Sequence, residues 1–344
     1  MGRIVAVTNL KGGIGKTTTV VNLSAGLALK GARVLLIDVD AQGNLAMALG
    51  ARPKRTLYEV LVDGARAADC VTPLRTNLDL LAADESLLMA QPTIARRADW
   101  PRVLEQAIRP LRASYDFIFI DCGGSLTVLN LNALNAASDV VVPTTVEPFS
   151  LKGLDMLVAQ ITRVKGSTSC LRAIVPTMFD PRLRQSQELL GQLQERYGAL
   201  VTAPIRVNVR LSESSALGRT IYEFDPRSRG AVDYARLVEQ LSASWDFSAP
   251  RAAQVPAPQA QTLPAHGLPT PSLTPDGRPV VPDTPAASPA PAPAPVVTGS
   301  GNMLSLSCPN CGGPLHRATV AGYRVAYCDH CKYRRQELAT GGRR

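Results

Sequence analysis

Histidine is nearly missing from this chain. Three occur in 344 residues, His266, His316 and His330. The first 250 residues therefore have no imidazole to serve as base, nucleophile or metal ligand. Long apolar runs are missing too. None approaches the roughly 18 residues that a membrane span requires, and the apolar stretch in MGRIVAVTNLKGG is too short for a signal peptide. The expectation is a cytoplasmic protein with no membrane partner. Cysteine is scarce, at seven residues. Cys70, Cys122 and Cys170 are scattered, and in a reducing compartment they read as small buried hydrophobes.

What is present divides the chain into three regions. Hydrophobic residues make up 45% of the sequence and the net charge is +9, which permits an anionic partner such as nucleic acid without requiring one. Residues 1–246 alternate apolar runs with helical patterns: RIVAVTN, a helix from Lys16 to about Lys30, ARVLLIDVD, YDFIFIDC, DVVVPTTVE and LRAIVPTMFD. Near-continuous β-branched runs suit strands buried on both faces. Their alternation with helices predicts an α/β fold with a doubly wound, mostly parallel sheet. Residues 247–302 hold 14 of the 27 prolines, spaced by Ala, Ser and Thr, a composition that cannot bury a core and reads as a disordered linker. Residues 303–344 form a short basic module with seven Lys or Arg against two Asp or Glu.

The first strand runs into TNLKGGIGKTTT, residues 8–19. Backbone N–H groups of Gly12, Gly13 and Gly15 are expected to face a polyphosphate at the start of the helix. Lys16 would reach the β- and γ-phosphates, and the Thr17 hydroxyl would bind Mg²⁺. The usual spacing G-x-x-x-x-G-K-[ST] wants glycine at position 10, where this chain has Leu10, and a second cation, Lys11, follows at once. Downstream, ARVLLIDVDAQGN places Asp38 and Asp40 at the C-terminal end of a strand, where doubly wound sheets hold their ligands. There they could order Mg²⁺-bound or attacking water, or cap the next helix. YDFIFIDCGG ends a second apolar strand in Asp121, which suits a magnesium-supporting carboxylate.

Together these residues resemble the ParA/MinD family of deviant Walker A ATPases, a branch of the P-loop NTPase fold. KGGIGKTT matches the family signature K-G-G-x-x-K-[ST], through Ile14 and Thr18. The likeness continues in LLIDVDAQGN, YDFIFIDC, PTMFDPR and NVRLSESSALGRTIYEFDPRSRGAVDY, covering about residues 1–243, and points to the ParA-type partition ATPases of chromosomes and plasmids. It implies ATP and Mg²⁺ as cofactors and an ATP-dependent homodimer in which Lys11 reaches the partner's nucleotide. It also implies Asp40 positioning the attacking water, Asp38 supporting the magnesium shell, and Met178 and Asn208 near the adenine. Turnover would be slow and stimulated by a ParB-like partner. Two departures stand out: Gly123–Gly124 where Pro-Pro is usual, and I-R-V-N-V-R where I-P-R-N-V-R is usual.

Residues 182–229 contain eight arginines, no lysine and five acids. The resemblance implies a non-specific DNA surface here, with Arg182, Arg184, Arg210 and Arg219 as candidates, and hence a nucleoid-associated location. With no helix-turn-helix before the first strand, an operator-specific repressor is not expected. Cys308, Cys311, Cys328 and Cys331 form CxxC-x16-CxxC, the spacing of a closed four-sulfur Zn²⁺ site, a zinc ribbon. The leading expectation is DNA partition. Its rivals are ATP-driven positioning of a non-DNA cargo and a nucleotide-gated adaptor acting through the ribbon.

Overall fold

The structure, a computed structural model, describes residues 2–248, 307–308, 311–320, 323–328, 330–331 and 334–338. From residue 249 on, the expected Pro-rich linker lies outside the described residues. The chain divides into two compact units, Met1–Ala260 and Gln261–Arg344.

The first unit is built on seven strands: β1 (Arg3–Val7), β2 (Val34–Asp38), β3 (Thr72–Arg75), β4 (Leu78–Leu81), β5 (Phe117–Asp121), β6 (Asp139–Thr145) and β7 (Leu171–Thr177). They lie in the order β3-β4-β2-β5-β1-β6-β7. All neighbours are parallel except the β3–β4 edge pair. β1 shows why the apolar runs form central strands. Its side chains alternate, Ile4 and Ala6 entering one core and Val5 and Val7 the other, so both faces are covered. The doubly wound, mostly parallel sheet is as the sequence implied.

Helix α1 (Lys16–Leu29) has little amphipathic character because it lies between sheet and helix, packed on Arg229–Ser244 and buried along most of its length. Asn22 ties it down: its carbonyl oxygen accepts from the Ile221 N–H at 2.8 Å. At the opposite end of the sheet, Phe247 packs edge-on against Phe117, with ring centroids 5.2 Å apart. That places Phe247 inside the folded unit, just past the expected boundary at 246.

In register, Asp38 of β2 sits beside Asp121 of β5, and Asp121 beside Val7, the last residue of β1. Two carboxylates and the start of the glycine loop thus arrive at one edge of the sheet. The second unit carries an antiparallel sheet of β8 (His316–Val320), β9 (Tyr323–Tyr327) and β10 (Arg334–Leu338), in the order β10-β9-β8.

Candidate functional site

The glycine loop leaves β1 and enters α1 through Gly15, whose φ of 85° suits glycine and which has no side chain to cap the helix. The first N–H groups of α1 are therefore left for an anion. The loop is tethered from the neighbouring strands. Asn9 donates to the Pro143 carbonyl at 2.8 Å, and the Thr177 hydroxyl donates to the carbonyl of the buried Ile14 at 2.8 Å. Gly12, Gly13, Gly15, Lys16, Thr17 and Thr18 line a cavity of about 650 Å³. Asp40, Leu88, Gln91, Gly123, Gly124 and Met178 also line it.

Lys16 is buried and donates to the Lys11 carbonyl at 2.8 Å. Burial lowers its pKa, and the nearby charge of Asp121 opposes that. Thr17 donates to Asp121 Oδ2 at 2.7 Å, while Asp121 Oδ1 is buried with no partner. Burial, and then the charge of Asp38, push the Asp121 carboxyl well above its usual range. An orphaned carboxylate oxygen beside a threonine hydroxyl, in a cluster short of positive charge, fits a divalent cation.

Asp38, expected to support the magnesium shell, lies behind the wall that Asp40 forms. It is fully buried and does not line the cavity. Oδ1 accepts from the Asp40 N–H at 2.9 Å and Oδ2 from the Leu45 N–H at 3.0 Å. Burial pushes its pKa up to about 7. It positions the turn that carries Asp40. Asp40 itself faces the cavity, and its carboxylate accepts from the Gln42 N–H at 3.1 Å.

Lys11 is exposed, and its ammonium turns back on its own subunit, 2.6 Å from Glu147 and 3.3 Å from the Thr145 hydroxyl. Neither partner was legible in the sequence, because both lie more than 130 residues away.

Gly123 and Gly124 sit where a side chain has little room. A Cβ on Gly123 would stand 3.2 Å from Asp40 Oδ2, and one on Gly124 would stand 3.2 Å from the Gly12 nitrogen. Asn130 holds this loop through the backbone of Gly123 on both sides, at 3.2 and 3.0 Å. Cys122 is buried, with a thiol that burial raises, which suits packing rather than reactivity.

Met178 and Asn208 come from adjoining segments: Phe179 donates to the Ile205 carbonyl and Val207 to the Phe179 carbonyl. Met178 reaches the cavity, whereas Asn208 does not line it and caps the Val209–Ala216 helix by accepting from the Arg210 N–H. The arginine that replaces proline at 206 uses the N–H that proline lacks. Arg206 donates through backbone and guanidinium to the buried Asp233 at 3.0, 2.9 and 2.7 Å.

The four candidate DNA arginines come from three segments of the chain. Arg182 and Arg184 follow β7, paired with Asp180 and Glu188. Arg210 pairs with Glu213 and Asp225 at the start of the Val209–Ala216 helix. Arg219, past that helix's end, is exposed and has no carboxylate partner among the described residues.

In the second unit the four sulfurs of Cys308, Cys311, Cys328 and Cys331 lie within 4.8 Å of one another. Cys308 and Cys331 approach to 3.4 Å, Cys311 and Cys328 to 3.5 Å. A tetrahedral ion with Zn–S of about 2.3 Å needs sulfurs roughly 3.8 Å apart, so the cluster fits one. A glycine turn shapes the first pair: Gly312, at φ 72°, donates to the Cys308 carbonyl at 2.8 Å.

A glycine loop between strand and helix, a buried lysine, and carboxylates at the ends of neighbouring strands define a P-loop nucleotide hydrolase. The AAA domain model matches residues 2–172. The chain is 38% identical over 256 residues to the sporulation initiation inhibitor protein Soj of Bacillus subtilis, covering 71% of this chain and all of that protein. It is 36% identical over 249 residues to the chromosome partitioning protein ParA of Caulobacter vibrioides, covering 70% and 93%. Among solved structures, cobyrinic acid a,c-diamide synthase of Mycobacterium smegmatis with ADP and magnesium superposes with a TM-score of 0.62 at 32% identity, covering 73% and 98%. The septum site-determining protein MinD of Pyrococcus horikoshii with Mg-ADP superposes at 0.61 with 26% identity, covering 71% and 98%. The chain belongs to the ParA/MinD family of P-loop ATPases.

Proposed function

We infer that this protein is a partition ATPase whose ATP-bound form dimerises, binds DNA without sequence preference and moves chromosome or plasmid DNA with a ParB-like partner. The chromosome-partitioning names of its ParA relatives support this reading. The observation that carries it is Lys11: an exposed cation directly before the glycine loop, outside the lining of the phosphate cavity and paired with Glu147. Two ATP-loaded subunits facing each other bring two polyanions together, and a lysine donated across the interface offsets that repulsion. Lys16 and the N–H groups of the glycine loop hold the phosphates. Thr17 and Asp121 would hold magnesium, which supplies charge neutralisation between the β- and γ-phosphates. Asp40, at the cavity wall, orients the attacking water. Cys308, Cys311, Cys328 and Cys331 would hold zinc, which would supply a structural cross-link of ribbon type.

The test is the molar mass of the protein in solution with ATP, with ADP and without nucleotide. An ATP-dependent dimer is expected, trapped by Asp40→Ala and lost with Lys11→Ala. Asp40→Ala is expected to slow turnover by about 100-fold or more. A monomer in every state, or a Lys11→Ala protein that dimerises like wild type, contradicts the reading.

A further inference from the structure

Arg219 is the one candidate DNA arginine without a carboxylate partner among the described residues, and its neighbours in space come from the far side of the sequence. Gly50 and Gly218 touch backbone to backbone. A Cβ on Gly218 would fall 2.7 Å from the Gly50 Cα, and both residues have positive φ, 65° and 66°. Arg75 on β3 rivets the junction. It donates to the Leu49 carbonyl at 3.2 Å and to the Gly218 carbonyl at 2.9 Å, while Glu223 neutralises it at 2.7 Å. The charge of Arg75 is thus spent inside the joint.

The loop that Gly50 begins reads GARPKR, residues 50–55: three cations, no acid, and a proline that stiffens it. Arg55 is set against Glu59 and Cys70. Arg52 and Lys54 are exposed, and no carboxylate pairs with them among the described residues. We propose that Arg52 and Lys54, joined to Arg219 by the glycine contact, form a phosphate-binding surface for the backbone of duplex DNA. The two loops present three unneutralised cations from a junction that cannot open without breaking the Arg75 clamp. The GARPKR loop offers only Ala51 and Pro53 as apolar side chains, and Leu217 beside Arg219 is the one large apolar side chain of the two loops. Three cations with no acid between them favour a polyanion over an acidic protein, which would need a broader apolar anchor. A preset array of this kind reads phosphate spacing and carries no base-specific contact.

This surface rests on the DNA reading given above, and the experiment separates the two. Affinity of the full chain for a non-specific duplex is measured with ATP across a salt series, for wild type, for Arg52→Ala/Lys54→Ala, and for Arg102→Ala/Arg109→Ala. The control pair is exposed elsewhere and removes the same charge. The slope of log affinity against log salt is expected to fall by about 2 per protomer in the first variant and to stay unchanged in the control. ATP affinity and melting temperature report that each variant is folded. A wild-type slope in the Arg52→Ala/Lys54→Ala protein overturns the surface and leaves partition standing, as does an equal fall in both variants. A wild type that binds no DNA with ATP overturns both.

Discussion

Asp38 and Asp121 stand side by side at the ends of β2 and β5, both buried, with one buried lysine near them and no histidine in the domain. Their roles could be guessed from position in the sequence, but their division of labour could not. It depends on which oxygens are already occupied: backbone N–H groups take both of Asp38, the Thr17 hydroxyl takes one of Asp121, and nothing takes its second. A pH dependence follows. Burial raises the folded-state pKa of Asp38 to about 7 from an unfolded value near 3.8, and raises Asp121 too. The folded state then binds more protons than the unfolded one across that window, so stability falls as pH rises through it. The melting temperature of nucleotide-free protein is expected to drop between about pH 5 and pH 7. Asp38→Asn, with no charge to lose, is expected to flatten the curve. A flat wild-type curve would contradict the account, since no histidine in the domain can mask it.

Among elements, the strands read clearly because they are buried on both faces, and a run such as Phe117–Asp121 has no other use for its β-branched and aromatic side chains. The β3–β4 edge pair was not legible: each strand has four residues, and Pro73 interrupts the first. The loop after β5 was visible as a departure, Gly123–Gly124, but its meaning needed the structure, where it closes against Gly12 and Asp40. Gly124→Ala is expected to push on the glycine loop and weaken ATP binding by roughly tenfold, about 1–2 kcal/mol, with little change in melting temperature. Titration with a fluorescent ATP analogue reads this directly. The Ile205–Asn208 segment is anchored through Asp233. Asp233→Ala leaves the Arg206 N–H unpaired and is expected to cost about 2 kcal/mol in denaturant unfolding. A loss below about 0.5 kcal/mol would show that the anchor is dispensable.

At the scale of the whole molecule, cysteine spacing alone announced the second unit, and its four sulfurs do converge. Which partner this unit serves was not written in the spacing, since a closed four-sulfur site fixes a scaffold and not a target. Purified protein is expected to carry one zinc ion, released by Cys311→Ser, with the melting of the ATPase unit unchanged; atomic absorption and calorimetry check both. The trans role of Lys11 came from family resemblance. The structure adds where the lysine rests in a single subunit, on Glu147. Non-specific duplex binding by wild type and Lys11→Ala, with ATP, ADP or no nucleotide, tests the central claim most directly. The account predicts salt-sensitive binding that requires both ATP and Lys11. Binding that ignores nucleotide and disappears when residues 303–344 are removed would contradict it and move DNA recognition to the cysteine unit.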